Sequence, residues 1–123
     1  MMSADFHKQS IEELVKKFTE LALRQYEARQ NDELTKYNRL FQQMASVTEE
    51  LRARSGDGRS ALLPLYTHSN PQVRLMAAIK TLALAPLAAR QVLEEIAAPK
   101  DGPESLDAGM SLWTLDQGIF QPN

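Results

Sequence analysis

Two histidines, three adjacent glutamate pairs, a Gly-Asp-Gly turn and a knot of arginines are the residues of this chain whose types could do chemistry. Their spacing argues against catalysis in each case. His7 falls in an N-terminal leader and His68 in a turn, and no His-x-x-x-His or Glu-x-x-His pattern sets two ligands on one helical face. Glu12-Glu13, Glu49-Glu50 and Glu94-Glu95 are neighbours in sequence. Neighbours on a helix point about 100° apart, so none of these pairs makes an acid–base dyad. Gly56-Asp57-Gly58 has neither the spacing nor the following Lys-Ser/Thr of a phosphate loop. No Gly-x-Ser-x-Gly frames a serine nucleophile. The chain has no cysteine, which removes disulfides, thiolate catalysis and cysteine-based metal sites and fits a cytoplasmic location. The expectation is a protein that is not an enzyme and carries no cofactor or metal.

Binding is the class that remains. Arg52, Arg54 and Arg59 form the densest basic cluster. Arg52 and Arg54 complement the carboxyl end of a helix, where the dipole favours positive charge; the other reading is an anion or an acidic partner. A formal net charge of −2 at pH 7 speaks against nucleic acid and anionic membrane. A nucleic-acid groove built from Arg52, Arg54, Arg59 and Arg74 is nevertheless kept as the alternative, and a structural homo-oligomer as another. Lys36, Asn38, Arg39, Gln42 and Gln43 share a polar helical face suited to a protein partner. Trp113 has two readings, an exposed anchor of the kind that dominates binding hot spots or a residue that packs the last helix onto the domain. The candidate partner-binding set is therefore Arg39, Gln42, Arg52, Arg54, Arg59, Arg74 and Trp113, and Met44, Met76 and Met110 are expected as core filler.

Helices must position all of these. Residues 1–9 read as a flexible leader with no signal-peptide core, and no apolar run reaches membrane-spanning length. Ser10-Ile11-Glu12-Glu13 is a capping box opening a helix to about Arg29, whose apolar face is Ile11, Leu14, Val15, Phe18, Leu21, Ala22 and Gln25. A second helix is expected from about Asp32 to Arg54, with Leu34, Tyr37, Phe41, Met44, Thr48 and Leu51 spaced alternately three and four apart, widened by Leu40 and Val47. Residues 10–54 thus read as a helical hairpin. Ser55-Gly56-Asp57-Gly58 ends it, with Asp57 able to cap the next helix.

Next come a short apolar helix around Leu62-Leu63-Pro64-Leu65, a polar turn at Thr67-His68-Ser69, and a helix capped by Asn70 and opened by Pro71. Val73, Met76, Ala77, Ile79, Leu82 and Ala83 then recur at helical spacing, and only Arg74 and Lys80 are charged as far as Ala85, the mark of a helix covered on most sides. Pro86 opens a fourth segment to about Ala97. Breakers fill residues 98–103, and a last helix from about Glu104 to Asp116 puts Leu106, Met110 and Trp113 on one face, with Gly109 weakening it. No period-two alternation marks a strand.

The run over residues 61–85 resembles a HEAT-type repeat, through Leu62-Leu63-Pro64-Leu65, Pro71, Val73-Arg74 and Ala77-Ala78. That likeness implies an arginine, here Arg74, making a structural contact between repeats. The chain as a whole resembles a family of small bacterial proteins known only as a domain of unknown function. The likeness lies in Ser10-Ile11-Glu12-Glu13-Leu14-Val15, Lys36-Tyr37-Asn38-Arg39-Leu40-Phe41, Pro71-Gln72-Val73-Arg74 and Asp107-Ala108-Gly109-Met110-Ser111-Leu112-Trp113. It implies an armadillo-like helical fold and no particular activity.

The expected architecture is all-α: one domain over residues 1–123, an α-α superhelix of about three stacked hairpins and six helices. Its parts are the leader at 1–9, the N-terminal hairpin at 10–54, HEAT-like helices at 58–97, and a C-terminal helix and tail at 98–123. The expected role is a protein–protein interaction module without catalysis, because stacked hairpins present an extended surface for grasping another chain.

Overall fold

Residue 10 onward folds as six helices, in the all-α class the patterning predicts. The computed structural model describes residues 6–123. Five α-helices, α1 (Ile11–Gln30), α2 (Leu34–Ala53), α3 (Pro71–Lys80), α4 (Pro86–Ala97) and α5 (Pro103–Asp116), are joined by a 3-10 helix at Gly58–Thr67 and preceded by a 3-10 turn at Phe6–Lys8. Among the described residues there is no strand, and no helix is long and apolar enough to cross a membrane. The chain gathers into two compact units, one ending at Ala61 and the other beginning at Leu62. The division falls inside the 3-10 helix, a few residues beyond the Ser55–Gly58 turn.

The first unit is the α1–α2 hairpin. Ser10 Oγ accepts the Glu13 amide at 3.0 Å while Glu13 Oε1 accepts the Ser10 amide at 2.8 Å, closing the capping box. Leu14, Phe18, Leu21, Ala22, Gln25 and Ala28 are buried along α1, one residue per turn or nearly so. After α1 the chain reverses through Asp32 at φ 57, with the Glu33 amide on the Ala28 carbonyl at 2.8 Å and the Asp32 amide on Arg29 at 3.2 Å. That bond pair is a Schellman turn with aspartate where glycine is usual. α2 then buries Leu40, Met44, Val47, Thr48 and Leu51. The stripe predicted to begin at Leu34 turns inward only from Leu40. Leu34 is 70% exposed and Phe41 is also exposed. The Arg29 guanidinium lies over the Tyr37 ring, 4.5 Å from its centroid.

Residues 1–5 of the expected leader lie outside the described residues. Residues 6–9 of that segment are tied to α2: Arg54 Nη2 donates to the carbonyls of Phe6 at 2.9 Å and Gln9 at 2.8 Å, and His7 pairs with Glu50 at 2.8 Å. Sequence patterning misses this because the binding atoms on the leader are mostly backbone carbonyls, which every sequence has.

The second unit contains α3, α4 and α5, each packed on the other two. The short apolar segment before α3 is 3-10 rather than the α-helix expected. Pro64 lacks the N–H an α-helix would use there and crowds the carbonyl four residues back. Asn70 Oδ1 caps α3, accepting from Gln72 at 2.8 Å and Val73 at 3.3 Å, with Pro71 at the first helical position. α3 is buried nearly all round, at Gln72, Val73, Leu75, Met76, Ala77 and Ala78. It stops at Lys80, before Leu82 and Ala83, which spacing puts on the same helix. The Thr81 hydroxyl bonds the Ala77 carbonyl at 2.6 Å and the Tyr66 hydroxyl, and the Thr81 carbonyl takes the amides of Leu84 and Ala85.

Candidate functional site

Among the described residues no three His, Asp or Glu side chains gather as a metal-ligand set. His68 Nδ1 accepts the Asn70 amide at 3.0 Å, a turn-forming bond. The Glu49-Glu50 pair diverges as helix geometry requires: Glu50 faces Arg54 and His7, whereas Glu49 lies exposed, 4.0 Å from Arg52.

The arginine cluster does not form a free basic surface. Arg59 is buried, its side chain 7% exposed, and grips Asp57 through Nε to Oδ1 at 2.9 Å and Nη2 to Oδ2 at 2.7 Å. This fork holds the Asp57 carboxyl below its usual range, through the hydrogen bond from Arg59 first and against the opposing effect of burial. Asp57 also accepts the Arg59 amide, so it does cap the next segment, from a left-handed backbone at φ 60. Arg54 is tied to Phe6, Gln9 and Glu50, and its bond to Glu50 is the first cause of that carboxyl's lowered pKa. Only Arg52 of the three is broadly exposed.

Arg74 belongs to the second unit and folds back on the turn before α3, with Nη1 on the His68 carbonyl at 2.7 Å and the Ser69 carbonyl at 3.1 Å. Its structural contact is thus within its own turn. Arg74→Ala should cost about 1.5–3 kcal/mol, the range for hydrogen bonds from a charged donor. A urea midpoint that does not move would refute that role. Arg39 and Gln42 are exposed on α2. Arg39 borders a depression of about 240 Å³ with Arg24, Glu27, Lys36, Leu40 and Gln43, where three cations face one glutamate.

Trp113 is the candidate the fold singles out. It is 53% exposed, in line with Leu106 at 67% and Met110 at 53%. The three fall at i, i+4 and i+7, so they make one outward stripe on α5. Spacing predicts the shared face but not its direction, and Met110 is no core filler. The packing side of α5 is the other one, where Glu104, Ser105 and Ala108 are buried and Leu112 and Leu115 half-buried. Both ends of α5 are pinned. Ser105 Oγ bonds the Ala97 carbonyl at 3.0 Å, and Arg90 forks onto Asp116 at 2.8 and 3.0 Å, which lowers the Asp116 pKa. Beside the stripe runs a largely apolar groove of about 410 Å³, lined by Ala97, Lys100, Ser105, Leu106, Gly109 and Met110 among others. Its mouth follows from Lys100 and Gly102, at φ 52 and 88, which turn the chain sharply out of α4 into α5. A helix with an apolar stripe and an adjoining groove can bind an apolar side chain. The signal that sequence reasoning passes over is that α5 has apolar residues on two faces, one more than its neighbours cover.

The chain matches the family described as Domain of unknown function (DUF2019) over residues 12–116, and it is a member of that family. It is similar to the protein RPA1889 from Rhodopseudomonas palustris CGA009, whose crystal structure superposes with a TM-score of 0.93 at 44% sequence identity, covering 98% of this chain and 100% of that one. No curated protein matches the chain.

Proposed function

We propose that this protein is a protein–protein interaction module without catalysis, working in the cytoplasm and offering the outward face of α5 to an apolar surface of another chain. The observation that carries the reading is the row Leu106, Met110 and Trp113 on a helix pinned at both ends. Exposing three large apolar side chains in one row is unfavourable in a free protein and is characteristic of surfaces that are covered in use. The residue types fit too, since tryptophan and methionine are enriched in interface cores. The repeat reading is part of the proposal: the 3-10 segment and α3 are a degenerate HEAT-type pair, supported by the Asn70 cap, Pro71 and the fold-back of Arg74.

The test is capture from nuclease-treated lysate by the tagged chain, comparing wild type with Trp113→Asp and with Arg52→Glu. Reproducible capture of a protein that falls about tenfold or more with Trp113→Asp and survives Arg52→Glu supports the reading. Capture indifferent to Trp113 overturns the site. Capture of nucleic acid that falls steeply with salt and with Arg52→Glu would replace it with the basic-groove reading.

A further inference from the structure

Gly109 sits in the middle of α5, inside the groove, and a Cβ placed on it would meet nothing within 4 Å. A mid-helix glycine is unfavourable relative to alanine, and here neither a positive φ nor a close neighbour within the chain requires it. Something that approaches from outside would. The layout of α5 identifies it. The stripe is centred on the helix, between Gly109 and Met110: Leu106 and Trp113 lie equally far from that point, and so do the helix ends Pro103 and Asp116. Turn a second α5 antiparallel about this centre, and Trp113 of each copy meets Leu106 of the other while Met110 of each meets Gly109 of the other.

Resting on the proposed interaction role of this face, we infer that the partner of the α5 face is a second copy of this chain, bound antiparallel about a two-fold axis at Gly109–Met110, with each Trp113 seated in the other copy's groove. Trp113 and the Leu106 end of the groove are about 10 Å apart along one helix at 1.5 Å per residue. An isologous pair uses such a layout twice, satisfying both groove and indole in each copy. The groove's roughly 410 Å³ has room for an indole. Its one charged lining residue, Lys100, would face the carboxyl end of the second copy's α5, whose dipole favours a cation. The stripe is smaller than the roughly 800 Å² per partner of a standard stable interface, so the pair belongs to the weak, reversible class.

The experiment is sedimentation equilibrium of the full chain over a wide concentration range, with three variants. Wild type should move from monomer to dimer as concentration rises. Trp113→Asp should weaken the dimer about tenfold or more, removing the central anchor. Gly109→Gln should weaken it comparably while leaving Tm equal to or a few degrees above wild type, because the site is open in the single copy and glutamine is the better helix former. Leu34→Asp, which removes an equally exposed apolar side chain elsewhere, should leave association unchanged. A wild-type chain monomeric at every concentration overturns the two-fold pair; Trp113-dependent capture of a different protein would then still uphold the interaction role. Self-association indifferent to Trp113 and Gly109 overturns the pair and its surface together.

Discussion

Phe18→Ala should cost about 3–5 kcal/mol, the range for truncating a fully enclosed aromatic residue. Phe18 has no exposed surface and lies mid-way along α1, between Leu14 and Leu21 and Ala22, all equally buried. Truncation removes its transfer energy and leaves a cavity that a hairpin pinned at its cap and its turn can close only in part. Against a total stability of about 5–15 kcal/mol for a domain, that loss takes much of what there is. Trp113→Ala, although it deletes a larger ring, should cost the isolated chain less than about 1 kcal/mol, because the ring is already half in water. Urea unfolding of both at a concentration where the chain is monomeric separates the two roles. Equal destabilisation would mean that Trp113 is part of the core and that the surface assigned to it does not exist.

Gly58→Ala gives a test of sign. Gly58 has no positive φ, so backbone freedom alone says that alanine stabilises by about 0.4–1 kcal/mol through the unfolded chain. A Cβ on Gly58, however, would lie 2.7 Å from the Leu51 carbonyl oxygen and 3.2 Å from the Arg54 Cβ. The oxygen is backbone at the end of α2 and cannot step aside as a side-chain tip can. The expected result is a loss of about 1–3 kcal/mol, the usual effect of overpacking. A rise in the denaturation midpoint would show that α2's last turn yields, and would weaken the picture of a fixed junction in which Arg54 and the Asp57–Arg59 fork are held.

Much of this fold is legible in the sequence where a local rule decides. The capping box at Ser10 sets the start of α1, and the prolines at 71 and 86 set the starts of α3 and α4, because caps and proline act over one turn and need no neighbour. The segment around Pro64 escapes for a related reason: its apolar pattern fits either helix type, and what separates them is the proline ring, which crowds the carbonyl four residues back in an α-helix. The site is half legible. Spacing places Leu106, Met110 and Trp113 on one face of α5, but which of two apolar faces is covered depends on where α3 and α4 lie, and periodicity does not carry that information. The arginines show the opposite failure. Arg52, Arg54 and Arg59 look alike as a run of charge, yet one is exposed, one holds backbone carbonyls far away in sequence, and one is enclosed with Asp57.

Arg54 has a consequence for the order in which the first unit is built. Its bond to the Phe6 carbonyl spans 48 residues, whereas α1 and α2 each form from neighbours a turn apart. Closing a loop of that length is entropically unfavourable until the hairpin has already brought its ends together. In a chain that leaves the ribosome amino end first, residues 6–9 therefore emerge well before the guanidinium that fastens them exists. Residues 6–9, made before either helix of the hairpin, are fastened only once the end of α2 exists.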